Sequence, residues 1–221
     1  MKKILLLLIF MLFSFFLDRS FSGAENSTIK DMEIAKVERK FFLENLIPNI
    51  EIEAEIKIPD YVDIKYIEYM YKLAKQLNLS IRMVFRLVYF ESSFIDTIVS
   101  PAGAYGFFQI MPETYNLYSK ILNVDALHLD KNCKNIYVGM HYLKGLYDYW
   151  FEKGNPDTYS WKLSLASYNA GIGKVIKYNG IPPYRDTIKY INFIMKEHTI
   201  EMSEFNFITY INYENNNQNR T

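Results

Sequence analysis

The chain has 221 residues, half of them hydrophobic, with 25 basic and 25 acidic side chains and a formal net charge of zero. That length holds one ordinary domain with short extensions, and the balanced charge supplies neither the basic stripe that nucleic acid requires nor an acidic solvating tail. The lone Cys133 excludes an internal disulfide framework and any multi-thiolate metal site, and the three scattered histidines suggest no ligand set, so neither a metal nor a cofactor is expected.

In chain order, Lys2 and Lys3 precede an apolar run from Ile4 to Leu17, which Asp18 and Arg19 break. Ser22 and Ala24 place small residues where a signal peptidase needs them. So short a run reads as the h-region of a signal peptide over 1–24, with an uncleaved anchor as the alternative. Either way the body is expected to be exported, to the periplasm or cell envelope. Residues 25–58 read as an N-terminal extension, in which "IEIEAEIKI" alternates apolar and charged residues and suits an edge strand or an extended linker.

Pro59-Asp60 opens a helical pattern, with Ile67, Met70, Tyr71, Ala74 and Leu77 on one face. Ser80 is an N-cap candidate for a second helix running to about Glu91. "GFFQIMPETYNLYSKIL" resumes helical spacing, with Pro112 suited to a helix start. Ile136, Met140, Leu143, Tyr147 and Trp150 form a further stripe; Trp161, Leu165 and Tyr168 form a shorter one, stopped by Gly171 and Gly173. Beyond Pro182-Pro183 a last helix carries Ile188, Ile191, Ile194 and Met195, and the polar 201–221 reads as a tail. The expected fold is all-α: helices around one core, with function on the loops between them.

Within the second helix, Glu91 ends the apolar stripe "RLVYFESSF", on the same face as Val84, Leu87 and Val88. Arg82 and Arg86 fall on roughly the opposite side, so neither neutralises it. Apolar burial and the negative end of the helix dipole both push a carboxyl pKa upward, as a general acid requires. The alternative is a solvated carboxylate at a frayed helix end.

Nine residues on, "SPAGAYGFFQIMP" begins at Ser100 and carries Gly103 and Gly106, which permit close backbone approach. Ser100 could orient Glu91, and Gln109 offers both a donor and an acceptor to a polyhydroxyl ligand. "SYNAG" then sets Tyr168 and Asn169 just before a glycine-terminated helix end. Tyr, Phe, Met, Gln and Asn around a cleft suit a sugar, whose apolar faces meet rings and whose polar groups meet amides; singly, each could equally be core or a cap.

Taken in order, "ESSF", "SPAGAYGFFQIMP", "SYNAG" and "PPYRDTIKYI" resemble the soluble lytic transglycosylase family of lysozyme-like enzymes, related to goose-type lysozyme. The resemblance spans roughly 60–196, and implies a lysozyme-like catalytic domain over 59–200 with a substrate cleft. It implies Glu91 as the catalytic acid and Ser100 as the group that orients it. Gln109, Met111, Tyr168, Asn169 and Tyr190 then correspond to cleft residues. The implied substrate is the glycan strand of peptidoglycan, cleaved between N-acetylmuramic acid and N-acetylglucosamine with formation of a 1,6-anhydro ring. A lysozyme-like hydrolase and an inactive peptidoglycan-binding module are the alternatives. The sequence departs from the family pattern at Ile95-Asp96, where Asn-Pro is common, at Phe107-Phe108, where Leu-Met is usual, and at Ser167, where alanine is usual. The first departure leaves the path of the chain beyond the acid open; the others are expected to change cleft shape more than chemistry.

Overall fold

A computed structural model of the chain describes residues 58–196. The expected signal peptide, the extension up to residue 57 and the polar tail lie outside the described residues. Seven α-helices are described: α1 Ile64–Leu77, α2 Ile81–Ser92, α3 Pro112–Ile121, α4 Lys131–Glu152, α5 Asp157–Ala170, α6 Ile172–Lys177 and α7 Arg185–Ile194. Among the described residues, extended pairing is confined to isolated bridges joining Val99 to Tyr105 and Tyr105 to Ile110. None of these helices is long and apolar enough to cross a membrane.

The first helix starts later than the sequence suggests. Pro59 and Asp60 belong to a preceding turn, and Asp63 is the N-cap, its side chain accepting from the Lys65 amide at 3.0 Å. Its buried face is Ile67, Met70, Leu73 and Ala74; Tyr71 and Leu77 lie at the edge of that stripe and are only half-buried. Ser80 caps α2, accepting from the Met83 amide at 3.4 Å, which satisfies one of the otherwise orphaned first-turn donors.

The long helix α4 packs against α1, α3 and α5, and α5 in turn meets α6 and α7. Ile136, Met140 and Leu143 are fully buried as the stripe predicts, but the stripe continues through Leu146, leaving Tyr147 and Trp150 half-buried. Alpha-helical spacing makes Leu143 to Leu146 a neighbouring pair, so the face drifts by one residue. On α5 the buried residues lie on several sides, including Ser160, Ser164 and Ser167 beside Leu163, Leu165 and Ala166. Each serine hydroxyl is satisfied: Ser160 donates to Asn155 O, Ser164 donates to Ser160 O, and Ser167 accepts from the Trp150 indole. The helix ends at Gly171, whose φ of 87° breaks the helical path, but Gly173 does not end anything; it sits inside α6.

In α7 the buried face is Thr187, Tyr190, Ile191 and Ile194, followed by Met195, while Ile188 is exposed. Arg86, on the side of α2 away from Glu91, is buried, and its guanidinium reaches Ile194 O at 3.5 Å, tying α2 to the end of α7.

Candidate active site

Glu91 is the penultimate residue of α2, and Val84, Leu87 and Val88 on its own face are completely buried. Immediately beyond, Ser93 and Phe94 both adopt left-handed backbone, with φ of 51° and 62°. Such conformations in residues with a Cβ cost about 1–2 kcal/mol each and survive only where surroundings impose them. Here the Phe94 ring is buried and meets Phe85 edge-on, with centroids 6.0 Å apart. Ser92 reinforces the exit: its hydroxyl lies 3.0 Å from Val88 O and 2.9 Å from Phe107 O, joining the helix end to the following loop. The helix therefore stops one residue after the acid, with its last turn fixed.

Burial raises the Glu91 carboxyl from an ordinary 4.5 to about 7, against a smaller downward pull from the Tyr190 hydroxyl, which donates to Oε1 at 2.7 Å. Desolvation wins because the carboxylate is deprived of water and receives one neutral donor in exchange. Tyr190, fully buried, and Tyr168 both have phenols held well above the ordinary tyrosine range, by burial first and then by the Glu91 charge. The Tyr168 hydroxyl donates to Phe108 O at 2.7 Å, and its ring lies 5.1 Å from that of Tyr142. The acid thus sits within a set of neutral phenols, and no cation contributes to its shift.

Opposite the helix end, the loop 93–111 is built largely from its own backbone. Tyr105 and Ile110 exchange hydrogen bonds of 3.1 Å in both directions. Ser100 closes a small turn: its amide donates to Ala104 O at 2.9 Å, and its hydroxyl accepts from the Ala104 amide at 3.0 Å. The hydrogen bond that reaches Glu91 comes from Tyr190, while Ser100 bonds within its loop. Gln109 has a φ of 43°, and its Nε2 donates both protons, to Ile98 O and Gly106 O, each at 3.0 Å. With both protons committed, the amide has its Oε1 left to offer a ligand. Met111 precedes α3 as its N-cap residue and is 37% exposed.

Asn135, from the middle of the core, clamps this loop in a way the sequence does not reveal. Its Oδ1 accepts from the Phe108 amide at 3.1 Å and its Nδ2 donates to Tyr105 O at 2.9 Å, so one side chain substitutes for a neighbouring strand. At Gly106, which has a φ of 77°, a Cβ would lie 2.8 Å from the Asn135 side chain; at Gly139, one turn along α4, it would lie 2.4 Å from the Phe108 ring. Phe107 and Phe108 are both buried, Phe107 against the edge of Tyr66, and so belong to the core instead of shaping the cleft. A glycine interrupting the apolar stripe of a 22-residue helix is the signal that marks Gly139.

The remaining site residues come from α5 and α7. Asn169 is exposed, and its Oδ1 accepts from the buried Thr187 hydroxyl at 2.8 Å. The geometry therefore joins Glu91 to Tyr190 directly, brings Tyr168 into electrostatic range of both, and links Asn169 to the same face of α7. Of the acidic residues nearest in sequence, Asp96 accepts from Asn132, and Glu113 stands exposed in the first turn of α3.

A helical domain presenting one buried acid, its pKa raised by burial, beside a loop of left-handed turns is the class these features define. The Transglycosylase SLT domain family matches residues 68–191, and the chain belongs to that family, with its all-α, lysozyme-like fold. Among relatives, the membrane-bound lytic murein transglycosylase C of Haemophilus ducreyi is 28% identical over 128 residues, covering 54% of this chain and 35% of its own. An inactive glutamate-to-glutamine mutant of the lytic transglycosylase Slt of Pseudomonas aeruginosa superposes with a TM-score of 0.52 at 19% identity, over 80% of this chain and 29% of that one. The 70 kDa soluble lytic transglycosylase of Escherichia coli gives 0.49 at 23% identity, over 59% of this chain and 23% of its own. The chain thus spans about a third or less of the length of these relatives.

Proposed function

We propose that the chain is a peptidoglycan lytic transglycosylase in which Glu91 acts first as acid and then as base. The observation that carries this reading is the Glu91 carboxyl itself, poised at about 7 by burial, with the Tyr190 hydroxyl on its oxygen. A group with that pKa is protonated and deprotonated in comparable amounts near neutrality, which suits donation followed by abstraction.

In the first half, Glu91 gives its proton to the glycosidic oxygen as the bond to the anomeric carbon of N-acetylmuramic acid breaks and positive charge develops there. In the second, the Glu91 carboxylate takes the proton of that sugar's own 6-hydroxyl, whose oxygen closes on the anomeric carbon. The leaving strand has gained one proton, the new 1,6-anhydro end has lost one, and no water is consumed. Tyr190 holds the carboxylate between the two halves by donating to it. One carboxyl group serves where most glycosidases use a pair. Tyr168, Asn169, Gln109 and Met111 would line the sugar path, and Ser100 would shape the turn beside it.

Family membership supports this reading, as do the name of the Haemophilus relative, a murein transglycosylase, and the inactivity of the Pseudomonas protein when a glutamate becomes glutamine. We further assign residues 59–200 as the catalytic domain and 1–24 as the export signal, which puts the enzyme in the cell envelope with glycan strands as its partner. Digestion of purified peptidoglycan followed by mass spectrometry tests the chemistry: anhydro-ended fragments, one water lighter than reducing-ended ones, are expected. Reducing ends alone would establish a lysozyme-like hydrolase instead.

A further inference from the structure

Thr187 and Tyr190 stand three residues apart on the buried face of α7, and each makes one side-chain hydrogen bond toward the site. Tyr190 reaches the acid; Thr187 reaches Asn169, which the mechanism above sets along the sugar path without a role of its own. The Thr187 hydroxyl is buried, the residue being 2% exposed, and Asn169 Oδ1 is its hydrogen-bond partner at 2.8 Å. In this arrangement Oδ1 faces the hydroxyl and accepts its proton, which spares a buried donor the cost of going unpaired. The Nδ2 protons of the exposed Asn169 are then left for a ligand.

From this we infer that Thr187 is a positioning residue that fixes Asn169 as a pure hydrogen-bond donor, and that Asn169 selects sugars bearing an acetamido carbonyl over de-N-acetylated ones. The inference rests on the proposed glycan substrate. An acetamido oxygen accepts from Nδ2. The ammonium left by de-N-acetylation has only protons to offer, so donor would face donor, and a locked amide cannot turn to present its oxygen. An unlocked Asn169 could rotate and accept from the ammonium instead. Thr187 is thus the source of the discrimination, although it touches no sugar itself.

The test is binding, not turnover, so it does not depend on which product the enzyme releases. In the full-length chain carrying Glu91→Gln, affinity is measured by calorimetry for chitotetraose and for its de-N-acetylated counterpart. The same pair is then measured after adding Thr187→Val or Thr187→Ser. The expected result is a preference for the acetylated ligand that falls about tenfold with Thr187→Val, the isostere without a hydroxyl, and is kept with Thr187→Ser. A preference unchanged by Thr187→Val, or no preference to begin with, overturns the inference. So does loss of preference with serine as well, which would point to packing by the threonine methyl. A wild-type enzyme that yields only reducing ends would sink the transglycosylase reading while this preference stands. Anhydro products from wild type with no such preference would do the reverse.

Discussion

At the scale of single residues, the proposed chemistry rests on Glu91 and Tyr190, which make opposite demands. Glu91→Gln keeps the shape and removes the proton; cleavage of purified peptidoglycan should fall by at least 10²–10⁴-fold, the usual contribution of a general acid or base, while sedimentation with peptidoglycan is retained. Tyr190→Phe removes the one hydrogen bond that lowers the acid's pKa. The sign follows: without the donor the carboxylate is less stable, the pKa moves up from about 7, and the alkaline limb of the rate profile should shift to higher pH. A pH–rate profile of both proteins checks this, and an unchanged limb would mean that another group governs it. Much of Glu91's setting is legible in the sequence, because an apolar face at helical spacing that ends in a carboxylate is a local pattern. Its bond to Tyr190 is not, since the two are 99 residues apart and only the packing of α7 on α2 unites them.

At the scale of elements, the loop over the site is tied down by α4. Gly139→Ala would ordinarily gain about 1 kcal/mol of helix propensity. Here the added Cβ would lie 2.4 Å from the ring of fully buried Phe108, and overpacking of that kind costs about 1–3 kcal/mol. The clash should win, lowering the urea midpoint of unfolding. Asn135→Ala would strand the Phe108 amide, at about 1–3 kcal/mol for a buried orphan, and leave Tyr105 O with the Ile110 amide as its remaining donor. Faster hydrogen exchange at Phe108 and reduced turnover are the expected readouts. Asn135 does not stand out by periodicity, because it lies on the inward face of a helix whose apolar stripe already accounts for that side, whereas Gly139 interrupts the stripe and does. The cap at Ser80 is legible because capping depends on residues within one turn of the chain; the start of α1 is not, because Pro59-Asp60 and Asp63 carry similar start signals and the turn between them decides.

For the molecule as a whole, the buried acid makes stability depend on pH. Glu91 is harder to ionise when folded than the ordinary 4.5, so folding favours its protonated form. Its contribution is fully present below about 4.5, declines as pH rises to about 7, and changes no further above that. The loss amounts to about 3 kcal/mol as an upper bound. Glu91→Gln does not titrate there, so it should match the wild type in urea unfolding near pH 4 and exceed it near pH 8; equal stabilities at both would show that the acid is hydrated after all. The order of helices and the all-α class follow from sequence periodicity, whereas the seating of Arg86 against the end of α7 does not, since a charge reads as surface until a distant carbonyl is found for it. The reversal of hand at Ser93 and Phe94 has a consequence for the acid's reliability. The last turn of a helix ordinarily breathes, and breathing would admit water to any carboxyl there. With the Phe94 ring sealed against Phe85, that fraying is checked just where it would quench a proton donor. The range of acidity over which Glu91 can serve in the proposed reaction is thereby set in part by an aromatic ring buried behind it.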